Sequence, residues 1–196
     1  MVDYTSFYQN IKQYIDLSEE ELMTLRSFYS YKKIAKNEVI LSSGQVCDFE
    51  GYVLEGCFKI FYRDDDFREH ILYFAIEDWW VVDISSFIFR NPSELYIQAM
   101  EESVIFYISN EEKEKLYTEM PKLEKLFRVM NQRALASMQS RMINMLYKTA
   151  EVRYLEFKSK YPNLDQRIAQ HQIASYLGIS HEFLSKVRKK LAYKKD

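Results

Sequence analysis

Residues 170–191, "QHQIASYLGISHEFLSKVRKKL", decide how the chain is read. Two short apolar stripes flank a single glycine. Ile173, Ala174 and Leu177 precede Gly178 at i, i+1 and i+4, and Leu184, Val187 and Leu191 follow it at i, i+3 and i+7. Each set lines one face of a short helix. Gly178 can take a left-handed turn at little cost. Ser180 is placed to cap the second helix, with Glu182 near that helix's positive end. If Leu184, Val187 and Leu191 face inward, Glu182, Ser185, Lys186 and Lys189 fall on the opposite face. The spacing predicts a bracing helix over about Gln170–Leu177 and a second one that shows water a polar, mainly cationic ridge. A helix of that kind fits the width of a DNA major groove, its N-terminal residues meeting base edges.

Charge points the same way. The formal net charge of −2 is split unevenly along the chain. Residues 166–196 hold seven Lys/Arg against Glu182 and Asp196, a formal +5, while the remaining 165 residues hold 20 against 27, a formal −7. A weakly acidic protein with a cationic end suits a polyanionic partner, although a solvated basic helix end would carry the same charge.

Working back from that end, the patterning changes twice. Residues 3–29 read as helical, with Ser18 as an N-cap and Glu21 as its capping-box partner in "LSEEEL". Residues 32–108 are short apolar or alternating runs such as "EVILSSG", "REHILYFAI" and "SVIFYIS", punctuated by Gly44, Gly51, Gly56 and Asp64-Asp65-Asp66. Short strands with turn signals every 8–12 residues suggest a β-sandwich or barrel-like roll. "DISSFIF" within it reads as a single helical turn.

After Ser109 the helical period returns, interrupted at Pro121. From Leu123 the apolar positions 123, 127, 130, 134, 138, 142 and 145 keep close to the helical step. A long helix with so narrow a stripe can pack on its own sheet or on a copy of itself, and its length favours the copy. The candidate dimer seam is therefore Leu123, Phe127, Met130, Ala134 and Met138. A further helix is expected over about Ile143–Lys160, ended by Pro162, which pushes Tyr161 out of helical geometry. The domain expectation is a β-roll over 1–110, a dimerisation helix over 111–141 and a DNA-binding domain over 142–196, joined through helix.

Several function classes find no support. No apolar run approaches the roughly 18 residues of a membrane span, and no signal-peptide pattern opens the sequence. Cys47 and Cys57 are the only cysteines, too few for a disulfide framework, so a reducing cytoplasm is the simplest setting. A β-roll can resemble the cupin barrel, which holds a metal in a histidine cluster. Here only His70 falls in the β-region, and no metal site is expected. There is no nucleophile motif and no phosphate-binding glycine loop, so no catalytic residue is assigned.

The order β-roll, long helix, then "RIAQHQIASYLGISHEFLSKVRKKL", with "EVRYLEF" and "KYPNL", resembles the cyclic-AMP receptor protein/FNR (Crp/Fnr) family of bacterial transcription regulators. The resemblance covers nearly the whole chain. It implies an α+β fold: a cyclic-nucleotide-binding-type β-roll, a long dimerisation helix and a C-terminal winged helix-turn-helix. It implies a homodimer on a palindromic operator in double-stranded DNA, with RNA polymerase as a further partner. Base-reading positions fall on His181, Glu182, Ser185 and Lys186, and phosphate-contacting positions on Gln170, His171, Ser180, Phe183 and Lys189. His181 stands where arginine is common, and Phe183 cannot donate to phosphate.

The sensing end departs from the family. The Gly-Glu pair that grips a cyclic nucleotide's ribose is missing from "EDWWVVDISSF", and Glu94-Leu95 stand about where Arg-Ser would neutralise the phosphate. A carboxylate there repels a cyclic phosphate, and losing a charged bidentate donor costs about 2 kcal/mol or more. Cyclic AMP is therefore not expected as a cofactor. Two cysteines are too few for a four-cysteine iron–sulfur cluster. An effector of another kind, or none, is expected, with Trp79, Trp80, Asp83 and Glu94 as candidate pocket residues. The alternative function is a dimeric small-molecule sensor or scaffold that never touches DNA.

Overall fold

The computed structural model describes residues 4–193. Its elements run α1 (Thr5–Lys12), α2 (Glu19–Ser27), β1 (Ser30–Ile34), β2 (Val39–Leu41), β3 (Phe49–Glu55), β4 (Phe58–Arg63), β5 (Glu69–Ala75), β6 (Trp80–Val81), α3 (Ile84–Phe89), β7 (Leu95–Ala99) and β8 (Ser103–Ser109). Helices α4 (Asn110–Glu119), α5 (Leu123–Tyr147), α6 (Ala150–Lys160), α7 (Leu164–Arg167), α8 (Gln170–Leu177) and α9 (His181–Tyr193) complete the chain. Two compact units form. One takes in the chain up to Ile60 and Phe74–Arg133, the other Phe61–Tyr73 and the chain from Ala134.

The eight strands make two four-stranded sheets, in the orders β1-β8-β3-β6 and β2-β7-β4-β5. In the first sheet, antiparallel pairing sets Tyr52 opposite Phe106 and Gly51 opposite Val81. Along β8, Phe106 and Ile108 share the face that joins the aromatic core, while Ile105 is buried on the opposite face, so both faces of this strand are covered. Gly56, in the turn between β3 and β4, has φ +93°, and a Cβ there would lie 2.2 Å from Ser103 Oγ. Only glycine fits.

Helices α1 and α2 cover this sheet because their apolar stripes match its aromatic face. Phe7 meets Phe106 edge-on at 4.9 Å and Tyr52 at 5.3 Å. Such pairs add to the area they bury. The expected capping box at α2 is present: Ser18 Oγ accepts from the Glu21 N–H (3.2 Å), and Glu21 Oε2 accepts from the Ser18 N–H (2.8 Å). "DISSFIF" forms α3, six residues long.

The start of α5 belongs to this same core. Leu123, Leu126 and Phe127 are buried with Phe7, Ile11 and Tyr52, and Met130 packs against them half-buried. This corrects the expected seam: Leu123 and Phe127 cannot meet a second chain, because their own core already covers them. Beside Phe127 lies a buried ion pair, Glu50 on β3 with Lys113 on α4, whose side chains are 4% and 6% exposed. The ammonium stands 3.9 Å from the Phe127 ring centroid, so a cation–π contact shares its desolvation.

The helix expected over about Ile143–Lys160 is divided in two. Thr149 takes extended backbone (φ −66°, ψ 157°), and its side chain accepts from the Val152 N–H, starting α6 afresh. A capping threonine breaks a helix that periodicity alone runs through. Pro162 acts as expected, and Tyr161 leaves the helical region at φ −125°, ψ 75°.

The second unit packs α6, α8 and α9 around Phe157, Tyr161, Tyr176, Leu177, Leu184 and Val187, all buried. Tyr161 and Tyr176 meet edge-on at 5.7 Å. The tip of the β4–β5 hairpin is tied to this unit through α8. Ser175 Oγ accepts from the Ile71 N–H (3.1 Å) and donates to the Glu69 carbonyl. Because β5 is the outer strand of its sheet, these bonds satisfy backbone groups that an edge would leave open. Among the described residues no strand follows Ser109, so a β-wing does not accompany the two helices there.

Candidate nucleic-acid interface

The site is built on α8, its turn and α9. Gly178 ends α8 in the left-handed region (φ 64°, ψ 39°), and its N–H reaches back to the Ala174 and Ser175 carbonyls. Any other residue at that φ is strained. The chain then turns through Ile179 to Ser180, whose Oγ accepts from the Phe183 N–H at 3.1 Å. Glycine sets the angle between the helices, and serine starts the second one.

What faces inward is settled by burial. Leu184 and Val187 are 0% and 3% exposed, and Leu191 is half-buried. The opposite face carries His181, Glu182, Phe183, Ser185, Lys186 and Lys189, all exposed, beside exposed Ser180. On α8, His171 is exposed and Gln170 partly so. The residues expected to read bases and to hold phosphates are thus presented together along α9 and at the start of α8.

Three of them already have work within the chain. Glu182 folds over the start of α9: its own backbone N–H and then the Ser180 hydroxyl hold its carboxyl below the usual glutamate range. Ser185 Oγ donates to the His181 carbonyl at 3.1 Å, and Ser180 is the cap. To meet a base, Glu182 and Ser185 must exchange those bonds. Lys190, further along, pairs with Glu151 of α6 at 2.6 Å and anchors α9 there. Sequence reading missed Ser175 and Lys190 as bracing residues. Their partners lie 104 and 39 positions away, and no local spacing signals them.

A second surface lies on α5. From Ala134 to Gln139 every residue is exposed. Leu135, Met138, Met142 and Leu146, spaced to share one helix face, are 59%, 61%, 64% and 82% exposed. Apolar side chains repeated at that spacing leave an open apolar stripe along the helix face. Of the expected seam, Ala134 and Met138 lie within it.

The four candidate effector residues are occupied differently from the expectation. Trp80 is a wedge in the first unit's aromatic core, 5.4 Å from Tyr52 and 6.1 Å from Phe127, with its Nε1 donating to Asn10 Oδ1 at 3.4 Å. Asp83 is buried and caps α3. Its Oδ1 accepts from the Ser85 and Ser86 N–H groups (3.2 and 3.4 Å), and its Oδ2 from the Ser93 hydroxyl (2.6 Å). Trp79 is half-buried, and Glu94 is exposed. Trp80 and Asp83 are thus committed to core and cap, which removes them from an open pocket. His70 is exposed on β5, its Nε2 2.7 Å from Asp64 Oδ2. Among the described residues no cluster of three or more His, Cys, Asp or Glu could hold a metal ion. No described helix is long and apolar enough to cross a membrane.

Comparison with known proteins places this geometry. Residues 31–119 match the cyclic nucleotide-binding domain family. Among solved structures, the c-di-GMP responsive global regulator CLP of Xanthomonas campestris superposes with a TM-score of 0.71 at 20% identity, covering 89% of this chain and 91% of that one. FixK2 of Bradyrhizobium japonicum gives 0.74 at 16% identity, covering 85% and 86%. The catabolite activator protein of Thermus thermophilus gives 0.57 at 18% identity, covering 95% and 88%. No curated protein sequence matches the chain. At these identities the likeness is one of fold, and it bears out the α+β architecture read from the sequence.

Proposed function

From a chain with the architecture of the Crp/Fnr-type transcription regulators and a cyclic nucleotide-binding domain over residues 31–119, we propose a homodimeric, sequence-specific DNA-binding regulator. One observation carries the reading. Helix α9 buries Leu184 and Val187 while holding His181, Glu182, Ser185, Lys186 and Lys189 in solvent along one ridge. In the major groove Glu182 accepts from a cytosine amino group, and Lys186 donates to guanine O6 or N7. Gln170, His171, Ser180 and Lys189 meet phosphates, which sets register without reading sequence. Phe183 offers its ring to a thymine methyl. RNA polymerase is the further partner such a regulator addresses.

Selection of binding sequences from a random duplex pool tests this. The enriched sites should be palindromes with half-sites about one helical turn apart, and affinity should fall steeply with salt as counterions are released. No binding at low salt would favour a sensor or scaffold instead.

Dimerisation is assigned to the open stripe of α5, centred on Met138, Met142 and Leu146. Met142→Glu places a charge in the middle of that stripe. Light scattering should then report monomers, with operator binding weakened. A stable dimer would move the seam elsewhere.

The effector, if one exists, is not cyclic AMP. The helix N-terminus at α3, a place where backbone N–H groups attract anions, is filled by the chain's own Asp83 carboxylate. Cyclic AMP should therefore leave the melting temperature unchanged. A ligand at 100 times its dissociation constant would stabilise by about 2.7 kcal/mol, so a clear upward shift would contradict this assignment.

A further inference from the structure

The second unit contains a cleft that the DNA-binding reading does not use. It lies between α5, α6 and α8, measures about 150 Å³, and is lined by Ser137, Ser140, Arg141, Arg153, Glu156 and Lys160 among others. Its chemistry is lopsided. Three cationic side chains face one carboxylate, and Glu156 is already paired with Lys148 and accepts from Asn144 Nδ2 at 3.2 Å.

The arginines are held in an unusual state. Arg141 Nη2 donates to the Ile71 and Tyr176 carbonyls at 3.0 and 2.9 Å, and the guanidinium stacks over the Tyr176 ring at 4.3 Å. Those acceptors are neutral. The Nε atoms of Arg141 and Arg153 are buried with no hydrogen-bond partner, and no ion pair engages either arginine among the described residues. Lys160 sits at the same cleft, its Nζ 3.4 Å from Ser137 Oγ. Burial, and then the charge of Arg141, draw its ammonium pKa below the ordinary lysine value. Gathering two guanidinium groups that have no ion pair beside a partly desolvated ammonium is costly. An unsatisfied buried donor adds a further cost.

We infer that this cleft binds a small oxyanion: a phosphate or carboxylate group, free or carried on another molecule. An oxyanion supplies several acceptor lone pairs at once, which is what two guanidinium edges, an ammonium and two serine hydroxyls can use. The cleft opens to solvent beside the exposed Ser137 and Ser140, so its volume bounds only the group it holds, and inorganic phosphate or one end of a short dicarboxylate fits. The ligand would sit among α5, α6 and α8 within the second unit, on residues separate from the base-reading ridge.

The test titrates inorganic phosphate, and separately succinate, into the full-length protein at constant ionic strength held with potassium chloride. It follows the melting temperature of wild type, Arg153→Met, Lys160→Met and Ser140→Asp. At least one of the two anions should raise the wild-type melting temperature, with a shift that grows logarithmically with concentration. Phosphate alone would identify a phosphate-bearing ligand, and succinate alone a carboxylate. Arg153→Met and Lys160→Met should lose the shift, yet melt no lower than wild type without anion, because each removes a desolvated like charge. Ser140→Asp places a carboxylate in the cleft, so it should raise the anion-free melting temperature and abolish the response. Lys186→Ala with Lys189→Ala, outside the cleft, should respond as wild type does. No shift with either anion, or an equal shift in wild type and the cleft variants, would overturn the inference. None of these readouts involves DNA, so they stand apart from the operator experiment.

Discussion

Replacing Lys186 and Lys189 together by alanine is expected to lower operator affinity by about a hundredfold or more per half-site while leaving the fold intact. A base contact contributes about 1–3 kcal/mol of discrimination, and a charge-assisted bond to phosphate about 1.5–3 kcal/mol. At about 1.4 kcal/mol per tenfold, the pair spans two orders of magnitude at the lower middle of those ranges. The two lysines should separate. Lys186→Ala alone should relax preference at one base pair, whereas Lys189→Ala should weaken all sequences alike and reduce the salt slope by about one per half-site. Both side chains are exposed and lie off the buried stripe of Leu184 and Val187, so melting should change by no more than about 0.5 kcal/mol. Fluorescence anisotropy across a salt series, with thermal melting in parallel, reads every part of this. Wild-type affinity in the double variant would remove α9 as the reading helix.

Lys113→Met should strongly destabilise the first unit. It leaves the Glu50 carboxylate, 4% exposed, without its counter-charge, and breaking a buried pair from one side costs about 3–5 kcal/mol. For a chain of this size about 2–4 °C is lost per kcal/mol, so melting of the first unit should fall by roughly 6–20 °C. Removing both charges tests the cause. Glu50→Leu with Lys113→Met should recover most of the loss, because an apolar pair of similar volume no longer bears the desolvation cost. A single variant that melts within a degree of wild type would mean that water reaches Glu50. A double variant as unstable as the single one would instead assign the effect to the ammonium's contact with Phe127.

These two residues illustrate what is hard to read from a sequence. Glu50 and Lys113 are 63 positions apart and each looks like an ordinary surface charge in its own neighbourhood. By contrast, the turn at Gly178, the cap at Ser180 and the capping box at Ser18 were all legible, because every partner lies within a few residues. Helix α5 falls between the two cases. Its period correctly marks a long helix with a continuous apolar stripe from Leu123 to Met145. The stripe says only that something covers it. For Leu123 and Phe127 the cover is the chain's own aromatic core, while from Ala134 onward the same stripe is open, with Leu135 and Leu146 beside it. Asp83 and Trp80 were misjudged for a related reason. A carboxylate and an indole near a strand end suit a ligand pocket or a cap and a core equally well, and only their neighbours Ser93 and Tyr52 decide.

The amino-acid order by itself therefore determined the succession of β-roll, long helix and bent helix pair, together with the cationic ridge of α9. Those features rest on backbone preferences and on repeats of two or 3.6 residues, which act over a single turn or strand. Tertiary structure decided which part of α5 is free, where Trp80 and Asp83 are spent, how Ser175 ties α8 to the hairpin, and that Arg141, Arg153 and Lys160 share one cleft. Each depends on segments meeting across long stretches of chain. Burial and desolvation, which set the strength of a charge or the availability of an apolar face, exist only once those segments have met.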